Sequence, residues 1–256
     1  MNETGLSADQ FTEDAFLGGR LRLRQPGSGH RAGHDAILLA AATSARSGDR
    51  VADFGAGVGA AGLALAKRVA GIKLVLVEID RELAELARGN ARANDIAADI
   101  VALDLTSGAE SFAAAGLAPD SLDVVLMNPP FNDAARHRAS PQKALAHVAS
   151  ATTLEDWIHA ARRTLKSGGV LTLIWRADGL AEVLAALDRG FGGVAVLPVH
   201  GDAISPAIRV LVRATKGGKA PLQIQPALML NNESGVPDKW LADVLAGKGI
   251  LSLAIP

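Results

Sequence analysis

The chain has 256 residues, 49% of them hydrophobic and 21% charged, which is ordinary globular composition and enough for one well-buried core. It contains no cysteine, which excludes disulfides, thiolate nucleophiles and cysteine metal sites. The acidic opening MNETGLSADQFTEDAF has no apolar stretch of signal-peptide length, and runs such as Ile37–Ala42 fall far short of a membrane span, so a soluble cytoplasmic protein is expected.

The net charge of −1 conceals segregation. Phe16–His34, Ala134–Leu154 and Ala203–Asn232 contain no Asp or Glu, and hold eleven of the 26 basic residues. These are Arg20, Arg22, Arg24 and Arg31, then Arg136, Arg138 and Lys143, then Arg209, Arg213, Lys216 and Lys219. The rest of the chain carries 15 basic against 27 acidic residues. Such segregation lets a near-neutral protein present one positive face to a polyanion, provided the stretches meet in space. Otherwise it describes solvated loop charges.

In chain order, Arg20-Leu21-Arg22-Leu23-Arg24 alternates with period two, so arginines share one face and leucines the other. Asp35–Ala45 reads as a helix. From Arg50 short apolar strands alternate with amphipathic helices: strand Val51–Phe54, a Gly-rich turn and a helix through Val69, strand Lys73–Val77, and a charged helix from about Arg81 to Asn94. Strands follow at Ile100–Leu103 and Ser121–Met127, then a helix Thr153–Leu165 closed by Lys166-Ser167-Gly168-Gly169, then strand Val170–Trp175. This alternation predicts right-handed crossovers and a parallel sheet covered on both faces. Gly192–His200 and Ala207–Ala214 are predicted as an antiparallel pair at one sheet edge, and Gln223–Leu230 as a further strand. The fold class is therefore α/β, with one domain over 1–256: an extension over 1–45, a doubly wound core over 46–215 and a tail over 216–256.

Asp53-Phe54-Gly55-Ala56-Gly57-Val58-Gly59 joins a strand to a helix. Glycines there let the backbone approach a ligand, and the following helix presents free N–H groups. Glu78, at the end of the next strand, is placed to accept both ribose hydroxyls of an adenosine-bearing cofactor. Gly57-x-Gly59-x-x-Gly62 also satisfies a dinucleotide fingerprint, a weak signal by itself. Asp53 suits a cofactor with a cationic amino-acid tail and would repel a pyrophosphate. The loop alone points to an adenosine cofactor and leaves its identity open.

Asn128-Pro129-Pro130-Phe131 ends the strand Leu122–Met127. Two prolines fix φ and remove two N–H donors, so the loop is rigid and its carbonyls are free to accept. An exocyclic amine on a base is a poor nucleophile because its lone pair is conjugated with the ring. If the Asn128 side-chain oxygen and the Pro129 carbonyl each accept one of its hydrogens, the nitrogen becomes tetrahedral and aims its lone pair at an activated methyl group. Phe131 offers a face on which the ring stacks, worth roughly 1–3 kcal/mol.

These motifs, with Asp104, resemble those of class I, Rossmann-like methyltransferases that modify exocyclic or amide nitrogens. Leu165-Lys166-Ser167-Gly168-Gly169 resembles the turn before the family's fifth strand. The resemblance implies a seven-stranded, mostly parallel sheet with an antiparallel edge strand, and S-adenosylmethionine as cofactor. It implies that Asp53, Gly55, Gly57 and Gly59 bind the methionine part, Glu78 the ribose, and Asp104 with Leu105 the adenine; Asn128 touches both cofactor and acceptor. His30-Arg31-Ala32-Gly33-His34-Asp35-Ala36 and the tail Arg209–Leu230 are similar to bacterial valine-tRNA adenine N6-methyltransferases, which implies an RNA substrate, most simply N6 of adenine in tRNA. Guanine N2 of ribosomal RNA, a protein glutamine amide, nicotinamide-dependent hydride transfer and non-catalytic RNA binding remain as alternatives. Arg20, Arg22, Arg24, Arg31, Arg136, Arg138 and Lys143 are the candidate RNA contacts. His30 and His34 lack a third ligand, so no metal site is expected. Trp157 and Trp175 are expected in the core.

Overall fold

The computed structural model describes residues 11–27, 31–130, 154–232 and 234–255. Strands β1 (Phe11–Phe16) and β2 (Leu21–Pro26) form an antiparallel hairpin, followed by helix α1 (His34–Ala42). The alternating core runs β3 (Arg50–Phe54), α2 (Ala60–Arg68), β4 (Lys73–Glu78), α3 (Arg81–Ala93), β5 (Ala98–Ala102), α4 (Ala109–Ala114) and β6 (Leu122–Met127). Helix α5 is described over 154–164, and β7 (Leu165–Arg176), α6 (Leu180–Leu187), β8 (Phe191–His200) and β9 (Ala207–Lys216) follow. Two-residue strands β10 (Gln223–Ile224) and β11 (Leu228–Met229) precede α7 (Lys239–Leu245).

The main sheet has the order β10-β8-β9-β7-β6-β3-β4-β5, with β11 also on β8. Strands β5, β4, β3, β6 and β7 are parallel neighbours, as the strand–helix alternation requires. The antiparallel strand lies one place inside the expected edge: β9 is inserted between β7 and β8 and runs against both. A short β8–β9 loop permits that antiparallel step, and β8 then takes the outer position. The expected strand Gln223–Leu230 is split in two. Pro226 sits between the pieces and has no N–H to donate to β8. Residues 166–169 bulge from the ladder, because the register passes from Leu122↔Leu165 to Val124↔Val170.

Successive side chains of the central strands enter opposite cores, and both cores are closed. Leu74 and Leu76 of β4, with Val124 and Leu126 of β6, pack among α1, α2 and the hairpin leucines; Val75, Val77, Val125 and Met127 pack against α4, α5 and α6. Continuous apolar strands are the signature of a sheet buried on both faces.

The chain passes β3, β4, β5 outward in one direction, then returns to place β6 on the other side of β3. The helices diverge at that reversal, and a crevice opens beyond the carboxyl ends of β3 and β6, where open α/β sheets take their ligands.

Candidate active site

Register brings the two principal motifs to this crevice. Asp53 pairs with Leu126, Phe54 with Met127 and Phe54 with Val77, so Gly55, Asn128 and Glu78 leave three adjacent strands at one level. The glycine loop is anchored from beneath: Gly55 and Ala56 both donate to the Val77 carbonyl, at 2.8 and 2.9 Å. A cavity of about 320 Å³ lies above it, lined by Asp53, Gly55, Gly57, Asn128, and Arg31 and His34 before and in α1.

Asp53 is 2% exposed, and its Oδ2 accepts the Gly62 N–H at 2.8 Å. Burial pushes its carboxyl up to about 7 against that hydrogen bond, and nearby Glu78 adds to the rise. Near neutral pH the cavity wall therefore holds a carboxyl divided between its charged and neutral forms. Glu78 is buried and held by the backbone: Oε2 accepts the Gly57 N–H at 2.7 Å and Oε1 the Asp80 N–H at 2.9 Å, leaving each oxygen further lone pairs. The Leu103 N–H donates to the Glu78 carbonyl at 3.1 Å, which brings the 103–105 turn alongside. In that turn Asp104 is exposed and accepts from the Thr106 N–H and hydroxyl, whereas Leu105 is buried.

Asn128 differs from the other polar groups here. Its Oδ1 is buried and accepts no hydrogen bond among the described residues, although it borders the cavity. A buried acceptor left without a donor costs roughly 1–3 kcal/mol. Pro129 behind it is buried and Pro130 is exposed.

The glycines do different jobs. Gly57 has φ +57° with open space where a Cβ would stand, so the backbone itself meets whatever enters. At Gly62 an added Cβ would lie 2.6 Å from the Leu76 side chain and 3.1 Å from Asp53 Oδ2; this glycine serves helix–strand packing.

A family model described as the methyltransferase small domain matches residues 31–201, which contain every element of this crevice. The chain belongs to that family. This methyltransferase is 30% identical over 177 residues to the tRNA1(Val) (adenine(37)-N6)-methyltransferase of Porphyromonas gingivalis, covering 66% of this chain and 68% of the relative. A predicted O-methyltransferase of Agrobacterium tumefaciens, known from its crystal structure, superposes with TM-score 0.73 at 32% identity over 85% of this chain and 98% of that one. The Thermus thermophilus 16S rRNA N2 G1207 methyltransferase, solved with AdoMet and guanosine, shares the fold at TM-score 0.56 and 21% identity, over 80% of this chain and 50% of that one. The enzyme is an S-adenosylmethionine-dependent methyltransferase of the class I fold.

The structure gathers Asp53, Gly55, Gly57 and Asn128 on one cavity, with Glu78 bonded to that loop and Asp104–Leu105 beside Glu78. Of the basic candidates among the described residues, only Arg31 lines the cavity, where it also pairs with Asp14. Arg22 and Arg24 stand on the exposed face of β2, opposite Leu21 and Leu23, as the period-two pattern requires. Arg20 donates to the Gly247 carbonyl. Phe131, Arg136, Arg138, Lys143 and His30 lie outside the described residues. No metal-ligand cluster occurs among the described residues.

Of the basic tail only Arg209, among the described residues, comes near the crevice, through Asp35 on the cavity wall. Strand β9 is antiparallel, so Arg209 beside Arg176 is at the carboxyl end of the sheet, where it pairs with Asp35, while Thr215 beside Val170 is at the opposite end. Arg213 there donates to the Leu253 and Ile255 carbonyls, and Lys216 pairs with Asp120.

Ile79 escaped the sequence reading: next to Glu78, it is an apolar side chain 62% exposed. Trp157 of α5 lays its ring where a Gly55 Cβ would be, 2.2 Å from that position, so a core-type aromatic sits directly behind the glycine loop.

Proposed function

We propose that the enzyme methylates an exocyclic amino nitrogen of a base in RNA, most simply N6 of adenine in tRNA. The carrying observation is Asn128, on the wall of the same cavity as Asp53 and the open glycine loop, whose buried Oδ1 has no donor among the described residues. A cofactor fits these residues: the backbone is bare at Gly57, an anionic group is buried beneath it, and Glu78 retains acceptor capacity. Asp53 with Gly55, Gly57 and Gly59 would hold the methionine part, Glu78 the ribose, and Asp104 and Leu105 the adenine with Ile79 against its face. Bound there, S-adenosylmethionine supplies a sulfonium-activated methyl group.

The chain's own contribution is orientation. Asn128 Oδ1 and the Pro129 carbonyl accept the two amino hydrogens of the target base, which fixes the nitrogen and turns its lone pair toward the cavity. Pro129 and Pro130 keep these acceptors in place, and Phe131 supplies the stacking face. Arg31, at the cavity wall, and Arg22 and Arg24, on the outer face of the hairpin, meet the RNA backbone, joined by Arg136, Arg138 and Lys143. The similarity to a tRNA adenine N6-methyltransferase supports the base and the RNA class.

Incubation with bulk tRNA and S-adenosylmethionine, followed by mass spectrometry of the nucleosides, tests the reading. N6-methyladenosine is expected. N2-methylguanosine would move the substrate to guanine, and methylation of oxygen alone would overturn the role given to Asn128.

A further inference from the structure

The N-terminal hairpin is attached to the core by two asparagines of α3. The Asn94 Oδ1 accepts the Arg22 N–H at 3.0 Å and its Nδ2 donates to the Arg22 carbonyl at 2.7 Å. One helical turn earlier, the Asn90 Oδ1 accepts the Arg24 N–H at 2.8 Å and its Nδ2 donates to the Arg24 carbonyl at 3.1 Å. Each side-chain amide thus makes the pair of bonds that a neighbouring strand's peptide would make. The spacings agree, since four residues of helix rise roughly 6 Å and two residues of strand roughly 6.6 Å. The open edge of β2 is closed by a helix acting as a third strand.

Asn90 does one thing more. Its Nδ2 also donates to the Val58 carbonyl at 3.0 Å, inside the glycine loop and one residue before Gly59, which caps α2. Asn90 is 2% exposed, so this amide is fully committed. The Asn94 side chain instead spends its second N–H on the Asn90 carbonyl. Arg24 stands near the end of the strand that leads to Arg31–Gly33, and both Arg31 and Val58 line the cavity. One buried side chain therefore joins the two walls.

We infer that Asn90 is a positioning residue that locks the N-terminal hairpin and the glycine loop into one frame, coupling the substrate-side arm to cofactor binding. This rests on the glycine loop being the cofactor loop, as proposed above. Calorimetry of wild-type protein with S-adenosylhomocysteine checks that premise separately: no binding there would fail the premise, whatever the variants do. Given binding, Asn90→Ala and Asn90→Asp, which both lose the bond to the Val58 carbonyl, should each raise the Kd for S-adenosylhomocysteine about fivefold or more. Both should raise KM for tRNA, with kcat at saturation within about twofold of wild type, because no reacting atom is touched. Asn94→Ala should raise KM for tRNA and leave the cofactor Kd unchanged. A wild-type cofactor Kd in the Asn90 variants, or an equal loss in Asn94→Ala, would overturn the inference. Hydrogen exchange on wild-type protein gives a test independent of variant folding. Saturating S-adenosylhomocysteine should slow exchange of the Arg24 amide, which Asn90 holds; unchanged exchange there counts against the coupling.

Discussion

Asp53 and Asn128 border one cavity, yet each is buried in a different electrostatic condition, and each condition yields a measurement. The Asp53 carboxyl, raised to about 7 by burial, is half neutral at that pH and becomes fully charged only above it. The charged form is the one that pairs with a cationic amino-acid tail. Affinity for S-adenosylhomocysteine should therefore rise as pH increases from about 6 to 8, with proton release on binding, until the ligand's own amine loses its proton. Asp53→Asn should abolish that slope and bind weakly throughout. For the free protein the sign is opposite. A folded-state value above the ordinary 3.8 means that the native state holds the extra proton, so stability falls as pH rises from about 4 to 7. Asp53→Asn should accordingly raise the melting temperature above pH 7 and change little near pH 4. A flat binding profile in wild type would show that Asp53 does not meet the cation. Asn128 has no charge to titrate, and its removal should act on turnover. Asn128→Ala should cut kcat at least tenfold, about 1.4 kcal/mol or more of barrier, and leave cofactor affinity near wild type. Glu78→Ala should do the reverse and weaken the cofactor by one to a few kcal/mol as charge-assisted hydrogen bonds to the ribose are lost. Single-turnover kinetics and calorimetry on the two variants separate these effects; coincident losses would merge the two roles.

At the level of elements, what could be read from the chain followed periodicity. Strands β3, β4 and β6 are short, mostly apolar runs ending in Asp53-Phe54-Gly55, Glu78 and Asn128, the pattern of a buried parallel sheet, so the strand ends and the residues on them were legible. What was hidden lay in side chains whose partners are distant in sequence. Asn90 and Asn94 look like ordinary polar positions on a charged helix, and nothing local announces that they bond a strand 66 and 72 residues away. Trp157 was expected in the core, and that it lies behind Gly55 depends on how α5 crosses the sheet. Gly62 shows the same competition inside α2. Alanine there gains roughly 1 kcal/mol of helix propensity, but its Cβ would press on the fully buried Leu76 and on Asp53. Overpacking of that kind costs about 1–3 kcal/mol, so Gly62→Ala should lower the melting temperature, and Leu76→Val in the same chain should recover part of the loss. A higher melting temperature in Gly62→Ala would mean that α2 moves off the sheet easily and that the third glycine is incidental.

Across the whole molecule, sheet polarity decides which charges bear on the substrate. All parallel strands deliver their loops to the end that holds Asp53, Glu78 and Asn128, while β9 leaves Arg209 at that end and carries Arg213 and Lys216 toward the other. Charge composition alone treats Arg22 and Lys219 alike, since both belong to acid-free stretches; the fold separates them. Arg22 and Arg24 are exposed on the hairpin strand that precedes the cavity wall in sequence, and the Arg24 guanidinium lies over the Phe11 ring, 5.2 Å from its centroid. If RNA lies across the hairpin into the crevice, log affinity for bulk tRNA should fall linearly with log salt, each phosphate contact contributing about −0.7 to −0.9 to the slope. Replacing both Arg22 and Arg24 with Ala should flatten the slope by about one to two units without altering cofactor affinity, even though Arg22 also pairs with Glu13. Lys219→Ala, at the far end, should leave it unchanged. Filter binding at several salt concentrations reads all three proteins. Equal flattening in both variants would mean that RNA is held by diffuse charge, and a flat line in wild type would remove RNA as the substrate while leaving the methyltransferase fold and its cofactor cavity as they stand.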